Sequence, residues 1–310
     1  MDLRQLSALV AIADHGSFSA AAKALYTVQS NVSGHISRLE RELGVTLIDR
    51  TGRELTNEGM MVLERARRIQ REFEGIAADI ASLGTTVAGD ARIGVIGTTA
   101  RWLMPLVLRA LGRDHPLVHA ILAEGTTSNL VPRLLSGALD AAIVHLPVDE
   151  PELRVVPLFA EDLVVITPAD HPLATVSEVS LRTLSAYPLL LPPHGTALRR
   201  VIDRAVHTAG VTLIAQAEID GVRLLASLAQ EGFGPTIVPT TTVPIWVTGE
   251  FRRVAVPELP RRVVGWVQSR RPAAAAPAKA TLDVLRNIIA EHAAEQPGVY
   301  LDELIPLATR

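Results

Sequence analysis

The chain has 310 residues, 48% hydrophobic and 20% charged, with a net charge of -3 and an isoelectric point near 6.3. That length allows two or three domains with a large core, and the composition excludes a disordered chain. The absence of cysteine excludes disulfides, thiolate metal sites and cysteine nucleophiles, in keeping with a reducing, cytoplasmic setting.

The first stretch, MDLRQLSALVAIADHGSF, is interrupted by Asp2, Arg4 and Asp14 and lacks the apolar core of a signal peptide. No charge-free apolar run is long enough to span a bilayer, so neither export nor membrane insertion is expected. Leu3, Leu6, Val10 and Ala13 mark a helix ending at Gly16, and Ser17 or Ser19 can cap a second one carrying Ala21, Ala22 and Leu25. Thr27 can cap a third, with Val32, Ile36, Leu39 and Leu43 on one side and Gly44 at its end.

Two short helices joined by a tight turn, the second with a polar outer face, form the helix-turn-helix arrangement, whose second helix enters the DNA major groove. Gln29, Ser30, Ser33, Gly34, Ser37 and Arg38 fall on that face, with Gln29, Ser30 and Ser33 at the end that reaches bases or phosphates first. Gly34 inside a helix costs about 1 kcal/mol against Ala; it reflects either close approach of backbone to DNA or a tolerated substitution. VTLIDRTGRELTNEG then predicts two short strands around a turn at Thr51 and Gly52, a wing that places Arg50 and Arg53 over phosphates or the minor groove. Residues 1–60 contain six Lys and Arg against seven Asp and Glu, so DNA binding has to rest on local placement of charge.

Val62, Ala66, Ile69, Phe73, Ile76, Ile80 and Leu83 alternate at spacings of four and three, a narrow seam that predicts a long helix and dimerisation through it. GTTVAG ends this helix. Strands and helices then alternate: ARIGVIG, VHAILAEG, DAAIVHL, LVVITP, YPLLLPP, LIAQAEI and PTIVP read as strands of largely parallel sheets covered on both faces. The region accommodates two subdomains, with a crossover near 159–162 and a return near 263–268.

Open α/β sheets bind ligands beyond the carboxyl ends of their strands, where helix N-termini favour carboxylates. Thr98 and Thr99, Thr126 and Thr127, and His145 follow the first three of these strands. Gly195 and Thr196 precede one later helix, Asp220 precedes another, and Phe233 lies between two glycines. A small organic metabolite, a carboxylate among the candidates, is therefore expected between the subdomains.

The segments LRQLSALVAIADHGSFSAAAKAL, VQSNVSGHISRLERELGVTLIDR, LTNEG, GDARIGVIG, EGTTSNLVPRLLSGALDAAIV and EGFGPTIVP together resemble the LysR-type transcriptional regulators. Gly34 departs from that pattern, standing where the family carries a longer polar residue, as does Ile48, standing where it carries Phe. The resemblance implies an N-terminal all-α winged helix-turn-helix (1–58) joined by a linker and dimerisation helix (59–85) to an α/β effector module. That module comprises two Rossmann-like, periplasmic-binding-protein-like subdomains (90–160 with 268–294, and 161–267), followed by a tail (295–310). By resemblance, Thr98, Thr126, His145, Thr196 and Phe233 lie at or beside the inducer cavity.

The implied function is sequence-specific regulation by a homodimer or homotetramer on a dyad-symmetric double-stranded operator, with RNA polymerase a further candidate partner and no cofactor. One alternative is a DNA-binding regulator whose cleft holds no ligand; the other is an enzyme using His145 or His194 as a base. His115 and His119 are separated by Pro116 and no other histidines have ligand-like spacing, so no metal is expected.

Overall fold

A computed structural model describes residues 1–49, 54–82, 87–270 and 275–301, and of residues 74 and 77–82 the backbone alone. Arg50, Arg53, Leu83, the side chain of Ile80 and the tail beyond 301 therefore lie outside the described residues. The N-terminal unit, expected from the sequence to be the DNA-binding unit, contains α1 (Leu3–His15), α2 (Phe18–Ala24), α3 (Gln29–Leu43) and the strands β1 (Ile48–Asp49) and β2 (Glu54–Leu55), which pair antiparallel. α1 begins with a reciprocal capping box between Asp2 and Gln5, and Gly16 and Gly44 close α1 and α3 in the left-handed conformation. Ser17 caps α2, whereas Val28 precedes α3 without a side-chain cap; the Thr27 hydroxyl instead accepts from Asn31 Nδ2 at 2.9 Å.

The helix α4 (Asn57–Ser82) has two neighbours. Thr56 starts it, its hydroxyl accepting from Gly59 N at 2.9 Å and donating to the Thr46 carbonyl at 2.7 Å. Leu63 and Ala66 are buried in the core of the DNA-binding unit, with Val62 and Ile69 packed against it. Arg67 pairs with Asp14, and Gln70 Nε2 donates to the Ser7 hydroxyl at 2.9 Å. On its other side, Arg68 Nη2 donates to the Leu135 carbonyl at 2.9 Å, joining α4 to the effector module.

The first effector sheet runs β13-β6-β12-β5-β3-β4, with β3 (Ala88–Val95), β4 (Leu117–Glu124), β5 (Ala141–His145), β6 (Leu153–Glu161), β12 (Arg262–Ser269) and β13 (Val299–Tyr300). The second runs β11-β7-β10-β8-β9, with β7 (Leu163–Pro168), β8 (Pro188–Leu191), β9 (Ile214–Glu218), β10 (Thr236–Pro239) and β11 (Phe251–Ala255). Helices α5 (Gly97–Asp114), α6 (Thr127–Leu135), α7 (Leu181–Leu184), α8 (Ala197–Thr208), α9 (Val222–Gln230) and α10 (Ala276–His292) complete the module. β3, β4 and β5 are parallel, as are β8, β9 and β10, while the strands that carry the chain across or pair beside the crossings run antiparallel to a neighbour. The sheets are thus mixed rather than largely parallel.

Each subdomain has its own core, the first built around Trp102, Phe159 and Trp266 with Trp102 edge-on to Phe159 at 5.3 Å. The return crossing ends where β12 begins, at Arg262, so residues 262–267 belong to the first sheet and not to the second subdomain. Beyond α10 the chain forms a strap against the outgoing crossing and the segment that follows β10. Asp162 N donates to the Gly298 carbonyl at 2.8 Å, the Thr240 hydroxyl to the Pro297 carbonyl at 2.6 Å, and Ile245 N to Gln296 Oε1 at 2.8 Å.

Gly59 shows why the LTNEG segment ends in glycine: a Cβ there would fall 2.0 Å from the Leu47 carbonyl oxygen, where α4 passes over the start of the wing. Gly59→Ala is expected to push α4 away from β1 and destabilise the DNA-binding unit by about 1–3 kcal/mol, the usual scale of overpacking. Urea unfolding followed by a probe in this unit measures the loss.

Candidate functional site

In the DNA-binding unit, Val32, Ile36 and Leu39 are fully buried, which turns the opposite side of α3 outward. Gln29, Ser30 and Arg38 are exposed and Ser33, Gly34 and Ser37 half-buried, so the sequence-derived reading residues share one face. Arg38 Nε donates to the Gly34 carbonyl at 3.2 Å, which lays its side chain back along the helix. A Cβ on Gly34 would meet nothing closer than Arg38 Nη2 at 3.9 Å, so packing within the chain does not demand glycine there. Sequence reasoning missed Tyr26, which has a left-handed backbone (φ 53) in the turn before α3 and a side chain 98% exposed. An aromatic ring in such a turn was the available signal.

The seam on α4 divides. Val62, Ala66 and Ile69 pack within their own DNA-binding unit, whereas Phe73 and Ile76 are each 57% exposed. Nearer the start of α4, Met1, Leu6, Leu43, Met61, Val62, Ala66 and Ile69, with the charged Glu64 and Arg65, line an open cleft of about 360 Å³.

In the effector module the carboxyl ends of the parallel strands meet the crossings. Thr98 and Thr99 occupy the first turn of α5, 5% and 0% exposed, and neither hydroxyl has a hydrogen-bond partner among the described residues. Thr126 precedes α6 and its hydroxyl pairs with Ser128 at 2.9 Å, while the Thr127 hydroxyl accepts from His145 N at 3.1 Å. Across the crossing, Thr196 caps α8 after Gly195 (φ 86), and Asp220 and Gly221 (φ 146) lead into α9. Phe233 does not join this set: it lies on the connection into the amino end of β10, opposite the edge the others share, and is 57% exposed.

Charged residues that sequence reasoning missed organise the crossings. Glu161, wholly buried at the end of β6, pairs with Arg262 at the start of β12 at 3.2 Å. Its other oxygen accepts from the Thr241 hydroxyl at 2.7 Å. Arg262 also donates to the His145 ring. Removal from water raises the Glu161 carboxyl above its ordinary value against the opposing pull of Arg262 and Thr241. Burial lowers Arg262 to about 10 despite Glu161. His145 is held well below 6.5, first by loss of water and then by Arg262. Just outside, Arg261 pairs with Asp162 at 2.9 Å and lies 3.7 Å from the centre of the Tyr300 ring. The adjacent doublets Glu161-Asp162 and Arg261-Arg262 were the signal in the sequence.

His194, one candidate base, is embedded in charge: Arg199 bonds its ring at 2.8 Å, and Asp203 and Glu218 approach at 3.3 and 3.6 Å. Arg199, 6% exposed, also donates to the Pro192 carbonyl at 2.9 Å and so shapes the loop before α8. No group of His, Asp and Glu among the described residues is arranged to hold a metal ion. No helix among them is long and apolar enough to cross a membrane.

This arrangement is that of a DNA-binding unit coupled to a two-lobed receptor. Residues 3–60 match the bacterial regulatory helix-turn-helix protein model of the lysR family, and residues 84–290 the LysR substrate binding domain. The chain is 32% identical over 275 residues to the DNA-binding transcriptional dual regulator OxyR of Escherichia coli (strain K12), covering 86% of this chain and 89% of that one. It is 34% identical over 270 residues to a probable hydrogen peroxide-inducible genes activator of Streptomyces viridosporus, covering 84% and 86%. Among solved structures it resembles full-length OxyR of Pseudomonas aeruginosa, a cysteine-to-aspartate variant, with a TM-score of 0.74, 26% identity and 93% and 94% coverage. The chain belongs to the LysR family of DNA-binding transcriptional regulators, and its function is regulation rather than catalysis.

His145 yields a prediction with a definite sign. A histidine held neutral in the fold binds fewer protons than in the unfolded chain below about pH 6.5, so its contribution falls as pH drops through that value. Its full contribution is present above it. His145→Gln is expected to remove up to about 1.4 kcal/mol per pH unit of acid-side slope. Urea unfolding at pH 5, 6, 7 and 8 tests this; parallel curves for the two proteins would contradict it.

Proposed function

We propose that the protein acts in the cytoplasm as a homodimer or homotetramer on a dyad-symmetric operator, with Gln29, Ser30 and Ser33 at base edges. Arg38 and the basic residues flanking α3 contact phosphate. A small organic carboxylate bound near Thr98, Thr99, Thr126, Thr127, His145, Gly195, Thr196 and Asp220 sets how far apart the reading helices stand. The carrying observation is that one helix, α4, is built into the DNA-binding core through Leu63 and Ala66 and touches the effector module through Arg68. A ligand that favours one arrangement of the subdomains thereby has a physical route to the DNA-binding unit.

The names of the relatives connect them with hydrogen peroxide. This chain has no cysteine, so its signal cannot be received by oxidation of a thiol. Reversible binding in the cleft is the reading that its residues support. Purified full-length protein, incubated with its own upstream DNA and with unrelated fragments at moderate salt, tests the proposal. A preference for the upstream DNA that shifts with a metabolite supports it; equal binding to all fragments with every metabolite refutes it.

Two mutations separate the DNA contacts. Gln29→Ala is expected to relax discrimination at one base pair by about 1–3 kcal/mol. Lys23→Ala, at an exposed position ending α2, is expected to weaken binding to all sequences and reduce the salt slope by about one. Ile76→Glu places charge on the exposed half of the seam, and sedimentation is expected to show monomers replacing the parental assembly.

A further inference from the structure

At the mouth between the two effector subdomains, Arg223 Nη2 in the first turn of α9 pairs with Glu124 Oε1 at the end of β4 at 2.8 Å. The pair links the two subdomains, since β4 is the edge strand of the first sheet and α9 packs on the second. It also sits directly over the start of α5: a Cβ on Gly97 would fall 2.7 Å from Glu124 Oε1 and 3.3 Å from Arg223 Nε. The next two residues of α5 are Thr98 and Thr99, whose buried hydroxyls lack partners among the described residues. The start of α5 therefore lies against the pair, and the two residues that follow it in the helix carry buried hydroxyls without partners among the described residues.

We infer that Arg223 is the cationic anchor for an anionic effector and that Glu124 is its resident competitor, occupying Arg223 until an incoming anion displaces it. This rests on the reading of the cleft as a ligand site and assigns the charge of the ligand. The pair is suited to exchange, because both side chains are about half exposed, 51% for Arg223 and 46% for Glu124. Ion pairs so placed are weak and screened by salt. Glu124 cannot leave the cleft, whereas an effector can, so exchange of one carboxylate for another breaks the link between β4 and α9. A neutral molecule provides no carboxylate to replace Glu124. The pair thus discriminates by charge, and it opposes binding by keeping Arg223 engaged for most of the time.

The test uses full-length protein, calorimetry, and acetate, benzoate and succinate as probes at constant ionic strength, with benzamide as the uncharged counterpart of benzoate. The variants are Glu124→Gln, Arg223→Gln and Thr98→Val; the first two are at half-exposed positions, and melting curves check the folding of all three. At least one carboxylate is expected to bind the parent, with affinity about two- to sixfold higher in Glu124→Gln, where Arg223 is no longer occupied. The same carboxylate is expected to lose at least about tenfold in Arg223→Gln, with benzamide indifferent to both changes. Equal carboxylate affinity in the parent and Glu124→Gln, undiminished binding in Arg223→Gln, or no carboxylate binding to any of the proteins overturns the inference. If binding falls in Thr98→Val but not in Arg223→Gln, the cleft stands and the Arg223 assignment alone fails. If neither change affects it, the cleft reading fails as well.

Discussion

A carboxylate and a guanidinium withdrawn from water at the double crossing govern the architecture of the effector module. Glu161 ends the outgoing strand and Arg262 begins the returning one, so their pairing holds together the two places where the chain passes between sheets. A buried pair of this kind adds little net stability, because desolvation opposes attraction. Removing either partner is another matter, since an unpaired buried charge costs about 3–5 kcal/mol. The raised Glu161 carboxyl and lowered Arg262 guanidinium express the same desolvation. The pair therefore specifies position: it holds Arg262 against His145, and His145 N in turn bonds the Thr127 hydroxyl at the start of α6.

α6 extends this chain of contacts to the linker. Its first turn carries Thr127 and its last carbonyls face α4, where Arg68 bonds the Leu135 oxygen. A Cβ on Gly137 would overlap the Arg71 guanidinium, which shows how closely the two elements approach. Cationic groups at a helix C-terminus are favoured by the partial negative charge there. A nine-residue helix spans about 13 Å, so one rigid element joins the candidate ligand edge to the linker. At the edge of the first sheet opposite β4, the strap formed by residues 296–300 bonds Asp162 in the outgoing crossing and Thr240 after β10, and its Tyr300 ring lies against Arg261 in the returning one. Rotation between subdomains consequently has one tethered edge and one edge held by the exchangeable pair of Arg223 and Glu124.

Much of the DNA-binding unit was legible because its signals are local. Gly16 and Gly44 end helices, Ser17 starts one, and Val32, Ile36 and Leu39 recur at helical spacing. The effector strands were legible as apolar runs, and the threonines at their ends as candidate ligand groups. Direction and order were not legible: β6 with β12, and β7 with β11, become partners through contacts between residues far apart in the chain, as with Glu161 and Arg262. For the same reason the end of the second subdomain was placed six residues late, and the strap gave no sign of itself before the structure showed which carbonyls Thr240 and Asp162 reach. Phe233 was misassigned because its glycine-flanked loop says that the chain turns, while the edge at which it turns depends on the direction of β10. The α4 seam hid a different ambiguity, since Val62, Ala66 and Ile69 repeat as a dimer stripe would and yet bury against α1 and its neighbours.

The acid balance of the first 60 residues also acquires a physical explanation. Asp2 caps α1, Asp14 pairs with Arg67, and Glu42 pairs with the amino terminus. Glu40 accepts hydrogen bonds from Leu47 N and Ile48 N at 2.8 and 3.3 Å, fixing the approach to the wing. These four carboxylates are committed to caps, the linker and the chain terminus, away from the Gln29 end of α3. Lys23 and Arg38 make no ion pair with an acid among the described residues, so their charge is available where α2 and α3 present their exposed sides. Charges separated by more than a Debye length of about 10 Å at 0.1 M salt are largely screened from one another. A phosphate at the reading face therefore interacts chiefly with the cations beside it, and a domain with no net positive charge can still bind DNA through where its charges stand.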